Sequence, residues 1–352
     1  MGKRVVNHNI NLLKVISCIA VIILHTSAEH LFEVEYGSYS SIVMNAGHGL
    51  TRFAVTTFFL ITGCLYLDEE YHIKDYKRYF AKIGHFVFLY FFYALAYSAC
   101  AMVFSRQMEA NVLRTAYKIV EHALTSPKYH LWYLPAYVGV LIGIPVLKRF
   151  VGSENQDKRE IIRYAIILIF ITMFINSLGA FNDLGMSKLT DMVSMFLSKP
   201  FAGWLGVCLI GFYIKKYSLK NYFFIYIAGI ILFICSMVAS YSFFGRIETA
   251  FYDNLTFQTT VFACVIFDYF VNRFQIKCMD RIVYFIDKLS ELTLGIYLIH
   301  PLLLNVFGAV GFDSMMCNSL IAIPVVSLVA FGLSVIVVAI IKKIPFVGKL
   351  VV

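Results

Sequence analysis

A few positions of this chain interrupt long apolar runs with histidine, lysine or arginine, and the chemistry within their reach is proton transfer beside fixed positive charge. The first group is Asn9-Ile-Asn11-Leu-Leu-Lys14, followed at His25 by an imidazole and at Glu29 by a carboxylate. On a helix turning about 100° per residue, the eleven positions from Lys14 to His25 return to within about 20° of one face and climb roughly 16 Å. Both side chains therefore look into one space, Lys14 near one end and His25 near the other. Imidazole is the side chain whose proton is exchanged near neutral pH. Glu29, four residues beyond His25, is placed to hold one tautomer and raise its basicity. The same spacing also suits a Lys14 and a His25 that snorkel to opposite surfaces.

Four further groups accompany the first. Arg52 precedes Phe53-Ala-Val-Thr-Thr-Phe58-Phe59-Leu-Ile-Thr62-Gly63, where a guanidinium could stabilise developing negative charge and the small Thr62-Gly63 pair permits close helix packing. His130-Leu-Trp132-Tyr133-Leu-Pro135 places an imidazole beside aromatic rings, at the same expected depth as His25. An interfacial aromatic belt accounts for Trp132 and Tyr133 but not for His130. The span that opens with Ser290-Glu291-Leu-Thr293-Leu-Gly295-Ile-Tyr297-Leu-Ile-His300-Pro301 carries His300 about half-way across, and Pro301 frees a backbone carbonyl that suits a wet or packed interior. In Asp75-Tyr-Lys77-Arg78-Tyr-Phe-Ala-Lys82, Arg78 and Lys82 share a helix face and make a cationic cluster suited to phosphate, or a plain cytoplasmic basic loop.

These groups must be positioned by membrane helices. Hydrophobic residues make up 60% of the 352, charged residues 14%, against about 25% in soluble domains. Mean hydropathy is +0.76. Such a chain cannot cover a soluble globule with polar surface, which excludes a soluble enzyme, a disordered protein and a nucleic-acid-binding domain. Apolar stretches near 10–28, 47–67, 80–105, 130–147, 161–178, 200–214, 222–244, 255–271, 291–308 and 318–341 predict an all-α integral membrane protein, a bundle of about ten transmembrane helices. With the N-terminus inside, 21 Lys and Arg fall on the inner side and seven on the outer, so both termini are expected in the cytoplasm. The whole chain, 1–352, reads as one transmembrane domain. In the outer loop 106–129, Leu113, Ala116, Tyr117, Val120 and Leu124 recur at helical spacing, which predicts an amphipathic helix on the outer face.

The eight cysteines are scattered without a CxxC pair, so neither a disulfide framework nor a zinc site is expected. No phosphate-binding loop, dinucleotide fingerprint, HExxH or GxSxG motif is present, which argues against ATP-driven and zinc-based mechanisms.

Together these segments resemble the acyltransferase-3 family of integral membrane O-acyltransferases. Lys14-x10-His25 is similar to its basic-x10-His signature. Arg52 through Phe58-Phe59-Leu-Ile-Thr62-Gly63 is similar to an R-x-x-V-P-x-F-F-x-x-S-G run. His130-Leu-Trp132-Tyr133-Leu, ending in Pro145-Val-Leu, and Gly295-Ile-Tyr297-Leu-Ile-His300-Pro301 are similar to two further runs. Thr56 and Thr62 stand where the family usually has Pro and Ser. Of a cytoplasmic R-x-x-R, Lys82 fits the second position while Tyr79 occupies the first.

The resemblance implies a multi-pass protein of the cell membrane, in a bacterial cytoplasmic membrane. It implies that an acyl group, acetyl above all, passes from cytoplasmic acetyl-CoA to a hydroxyl of a sugar or cell-envelope glycan at the outer face. Acyl-CoA would be a donor substrate, with no bound cofactor, no metal and no nucleic-acid partner. Lys14, Lys77, Arg78 and Lys82 would hold the CoA; His25 would act as base or acyl carrier, with Glu29 orienting it and Arg52 stabilising the oxyanion. His130, Trp132, Tyr133 and His300 would line the acceptor site, covered by the 106–129 helix. The family also includes membrane halves of serine racemases that serve amino-acid uptake. A transporter of a small amino acid or organic acid, with Lys14, Arg52 and His300 at its centre, is therefore the alternative. Against it stand the basic mouth and the expected lack of broken-helix pairs.

Overall fold

The computed structural model describes residues 7–68, 71, 73, 75–105, 111–152, 156–177, 203–243, 245–277, 279–345 and 347–351. Among them every regular element is helical: α1 (His8–Ala28), α2 (Tyr39–Leu50), α3 (Phe53–Tyr66), α4 (Tyr76–Phe104), α5 (Val112–Thr125), α6 (Tyr133–Val151), α7 (Gln156–Ser177), α8 (Trp204–Tyr217), α9 (Tyr222–Ser242), α10 (Phe257–Asp268), α11 (Asp280–Ser290), α12 (Thr293–Ala309), α13 (Ser319–Lys343) and the short α14 (Val347–Val351). Starts are marked by side chains that accept from orphan backbone N–H groups. Asn7 does so for α1, Ser38 for α2, Asp75 for α4, Asn111 for α5 and Thr256 for α10.

All ten expected apolar stretches coincide with helices, but not all qualify as crossings. Among the described residues, seven helical segments are long and apolar enough to cross a membrane, or eight if α11 and α12, bent by 67° at their junction, count as one span. The stretch expected at 200–214 forms α8, whose 14 residues rise only about 21 Å against a hydrocarbon core of about 30 Å. The bend between α11 and α12 departs from the expectation of unbroken helices. Of the basic residues counted for orientation, Lys3, Arg4, Lys74, Arg106, Lys188 and Lys199 lie outside the described residues, as do Cys278 and the first five positions of 106–129.

The segment α2–α3 is central, with 78% of its most apolar window buried, and α9 is peripheral, with 28%. Outward faces are apolar: Phe223, Phe224, Ile231 and Ile234 on α9 are all exposed. Interior faces carry the polar groups, including Thr26 against Ser327 at 3.1 Å between α1 and α13. This inversion is what a lipid solvent selects. The amphipathic segment forms α5, with Leu113, Tyr117, Val120 and Leu124 facing away from the protein while Thr115 and Ala123 are buried.

The site depends on a close pair, α3 and α8. Gly63 lies against the Cys208 carbonyl, and Gly211 against the Leu60 carbonyl. Neither position has room for a Cβ, so the two backbones are in direct contact, as the Thr62-Gly63 pair foretold. The start of α1 is held by polar ties across the bundle. Asn9 donates to the Phe274 carbonyl at 2.6 Å, and Asn11 donates to Asp287 at 2.9 Å. Deeper in the protein, the fully buried Asp268 accepts from Tyr226 (2.6 Å), Asn272 (2.7 Å) and the Leu219 N–H (3.2 Å). It fastens α10 to the turn between α8 and α9, where Ser218 and Asn221 take positive φ.

Gly63→Val and Gly211→Val should each abolish the monodisperse peak in fluorescence-detected size exclusion, because overpacking here meets backbone, not a flexible side chain. Gly139→Ala, where nothing stands within 4 Å, should leave the peak unchanged.

Candidate active site

Three helices bring three imidazoles together. α1 carries His25, α12 carries His300, and the 3₁₀ turn Tyr129–Trp132 ahead of α6 carries His130. Ring centroids are 5.0 Å apart for His25 and His300, 6.1 Å for His130 and His300, and 6.5 Å for His25 and His130. The His25 and His300 rings lie within 4° of one plane and share a hydrogen bond of 2.7 Å between His25 Nδ1 and His300 Nε2.

The direction of that bond follows from its neighbour. His300 Nδ1 lies 3.1 Å from the Ile296 carbonyl, which can only accept, so Nδ1 carries a proton. In the neutral ring Nε2 is then an acceptor, and His25 Nδ1 must donate to it. The lone pair of His25 is thereby placed on Nε2, which makes no hydrogen bond among the described residues. His300 is fully buried while His25 is partly open. Backbone carbonyl, His300 and His25 therefore form a directed relay that ends in an available base.

The orienting bond expected from Glu29 is made instead by His300, because Nδ1 of His25 faces α12. Glu29 lies one turn beyond, beside Gly308 and near His30, Asp313 and Lys128. Burial pushes the Glu29 carboxyl above its ordinary range, against the pull of the His30 ring. Burial by itself would lower His30, but its 2.7 Å bond to Glu33 and the nearby Glu29 and Asp313 carboxylates hold it above its usual value. Burial lowers Lys128, which donates to Asn305 at 3.0 Å.

Arg52, between α2 and α3, is held from two sides. Its Nη1 lies 3.3 Å from Asp253, and its Nη2 donates to His48 Nε2 at 3.1 Å. His48 Nδ1 then donates to the Tyr252 hydroxyl at 3.2 Å, which in turn donates to Asn45 at 2.7 Å. The two Nη groups of Arg52 are thus held by His48 and Asp253, which partly neutralises its charge beside the histidine cluster, while its buried Nε has no hydrogen-bond partner among the described residues. Sequence reasoning missed His48, Asn45, Tyr252 and Asp253. The i, i+4 spacing of His48 and Arg52 was a signal for the first; nothing local pointed to the others.

Below the histidines lies a cavity of about 270 Å³. It follows α1 from Lys14 to Val21 and the α11–α12 bend from Ser290 to Tyr297, so on both sides it stops one turn short of His25 and His300. Tyr133 and Tyr297, with ring centroids 5.3 Å apart, close this end. Lys14 and Lys82 line the other end. Lys14 is near Asn11 (3.4 Å), and Lys82 donates to the Tyr66 hydroxyl.

The expected basic cluster thus divides. Lys82 lines the cavity, whereas Lys77 is exposed and Arg78, with a side chain 84% exposed, pairs with Asp75 at 3.3 Å. The face turned inward at the start of α4 is that of Tyr79, whose buried hydroxyl donates to the Leu141 carbonyl. This explains what the missing first basic position of the R-x-x-R pattern does here: it packs. Trp132, 39% exposed, stacks on Trp204 at 5.6 Å, and Trp204 stacks on Phe59 at 4.2 Å. Trp204 was not singled out from sequence, since Phe59 and Trp132, on which its ring stacks, are distant in the chain.

A family model described as an acyltransferase domain matches residues 7–342. The chain belongs to the acyltransferase-3 family. No curated protein and no solved structure matches it. Membership covers nearly the whole chain and makes it, in general terms, a multi-pass membrane acyltransferase. In this acyltransferase the four motif regions converge: the Lys14–His25 face, the Arg52 turn, the His130 turn and the His300 helix all border the cavity or the imidazole cluster above it.

Two measurements check this geometry. His300→Leu, which removes the acceptor of His25 Nδ1, should lower acyl-transfer kcat by roughly 10²–10⁴-fold, while His300→Gln, which keeps an acceptor, should retain more of it. Just past the end of α1, a His30 pKa raised on folding stabilises below the usual 6.5 and loses that contribution as pH rises through the folded value. His30→Gln should therefore flatten the decline in Tm above pH 6.5.

Proposed function

We propose that this protein is an O-acyltransferase that moves an acyl group, acetyl by preference, from acyl-CoA on the cytoplasmic side to a hydroxyl of a sugar or cell-envelope glycan on the outer side. The crossings would number ten, counting α7 and α8, with both termini in the cytoplasm of a bacterial cell. The observation that carries the reading is the cavity that has Lys14 and Lys82 at one end and stops one turn below a relay-held imidazole at the other.

In this scheme Lys14 and Lys82 receive the anionic end of the donor, with Arg78 and Lys77 on the approach. The roughly 16 Å from Lys14 to His25 is of the order of a pantetheine arm. Tyr133 and Tyr297 contact the thioester end. His25 Nε2 removes the proton from the acceptor hydroxyl as it attacks, and the His300 bond keeps that nitrogen unprotonated beforehand. Trp132, supported by Trp204, offers a flat face for a sugar ring. Glu29 stands at the rim of the acceptor side, and α5 covers it from outside.

The transporter alternative has less support. Lys14 lines the cavity, while Arg52 is bound to His48 and Asp253, and His300 to His25, so the three do not form one central site. A single bent pair, α11–α12, is present among the described residues, without a counterpart of similar bend.

His25→Ala should lower the release of free thiol from acetyl-CoA by about 10²–10⁴-fold in purified, monodisperse protein. Wild-type turnover in that variant would remove His25 as the base. Mass spectrometry of envelope glycans from cells with and without the protein should show a difference of one acyl unit.

A further inference from the structure

His130 is the least satisfied polar side chain near the site. It is 1% exposed, and neither ring nitrogen has a hydrogen-bond partner among the described residues. A neutral imidazole always carries one N–H donor and one acceptor, so either tautomer leaves both unmet. Buried polar groups in folded proteins are paired with few exceptions, and such an exception at a site calls for a missing partner.

Three ring neighbours of His130 already have partners of their own. Tyr297, whose ring centroid is 5.7 Å away, donates its hydroxyl to the His130 backbone carbonyl. Tyr97, at 4.9 Å, donates to the Leu298 carbonyl at 2.9 Å. His300 is bound to His25 and to Ile296. The Tyr297 bond ties the His130 turn to α12, which holds the ring beside the His25–His300 pair. Arg52, the sequence candidate for stabilising negative charge, has both Nη groups engaged by His48 and Asp253 and keeps one unpaired donor, Nε, whereas both ring nitrogens of His130 are unpaired.

We infer that His130 is the oxyanion donor of the transfer reaction, its ring N–H bonding the acyl carbonyl oxygen of the donor thioester. This rests on the acyl-transfer reading and adds a second catalytic residue to it. The acceptor hydroxyl loses its proton to His25 Nε2 as its oxygen bonds the thioester carbon. The carbonyl π pair moves onto oxygen, where the His130 N–H receives the developing charge. When that pair returns, the C–S bond breaks, and the thiolate leaves with the proton held by His25. The products are one ester and one thiol, and both imidazoles end as they began. The division of labour follows from the hydrogen bonds: His25 presents a lone pair and needs a donor, whereas His130 has a free N–H and needs an acceptor, and hydroxyl and carbonyl fill those roles in turn.

The test compares His130→Leu with His130→Gln in purified protein, using acetyl-CoA and thiol release. Leu should lower kcat by about 10²–10³-fold, the usual effect of losing one oxyanion donor, with little change in the acceptor KM. Gln, which keeps an N–H, should recover much of that loss, and the pH profile set by His25 should not move. A second readout needs no substitution at 130. With His25→Ala to prevent turnover, the infrared carbonyl band of bound acetyl-CoA labelled at the acyl carbon should lie below that of the free thioester. An unshifted band overturns the assignment, as does full activity in a folded His130→Leu variant, equal damage in Leu and Gln, or a loss confined to acceptor KM. If wild-type protein releases no more thiol than His25→Ala, the acyl-transfer reading itself fails; activity in wild type with any of those four outcomes removes His130 alone.

Discussion

The hydrogen bond between His25 and His300 is the interaction on which the rest of the site depends. It joins two helices far apart in sequence, and its direction is set by backbone. Pro301 has no N–H, so the carbonyl of Tyr297, four residues earlier, lacks its usual helical donor. That carbonyl and that of Ile296 both face the His300 ring. A proline that would weaken a soluble helix here creates acceptor capacity at the one ring that must hold its proton on Nδ1. The rest of the relay follows: an imidazole oriented by another imidazole, with no carboxylate bonded to either ring among the described residues. Such an arrangement suits an apolar surrounding, where an ion pair would have to repay a large desolvation cost.

Charge is segregated along the same axis. The lysines stand at the end of the cavity that holds the start of α1, and the neutral imidazoles stand beyond the Tyr133–Tyr297 pair. Arg52 is the one guanidinium described near the imidazoles, and its field is moderated by Asp253 on one side and directed by the His48–Tyr252–Asn45 chain on the other. This matters because a bare cation beside a histidine opposes its protonation. Fixing Arg52 by named partners sets how strongly it does so. The close α3–α8 contact at Gly63 and Gly211 serves the same end from below. It places Phe59 and Trp204 face to face, and through them Trp132 beside the imidazole-bearing turn.

Much of this was legible in the chain itself. Composition excluded a soluble fold, and apolar runs located the apolar helices, because burial in lipid acts on every residue of a span; α2 and α11, which carry more polar residues, were not marked by such a run. Helical periodicity put Lys14 and His25 on one face, and the motif order pointed to the family. The sequence also named all three imidazoles of the cluster, since a histidine within an apolar run is conspicuous. Partners were harder to read. Glu29 had the right local spacing to His25, yet His300 took the bond. Arg78 and Lys77 had the right charge, yet the inward face of α4 belongs to Tyr79, Ile83 and Phe86, and of the basic residues there only Lys82 reaches the cavity among the described residues. The number of crossings was also less definite than the apolar stretches, because α8 is short and α11–α12 bends.

By itself, then, the sequence determined the membrane class, the helices and the chemical identity of the reactive groups, all of which depend on local hydrophobicity, periodicity and side-chain type. Only the tertiary structure decided which groups meet: His25 with His300, Arg52 with His48 and Asp253, Trp132 with Trp204, and a His130 ring with no hydrogen-bond partner among the described residues. The physical reason is that a hydrogen bond is short and directional. Its existence turns on angstrom-scale placement of helices that the order of residues along the chain does not specify one pair at a time.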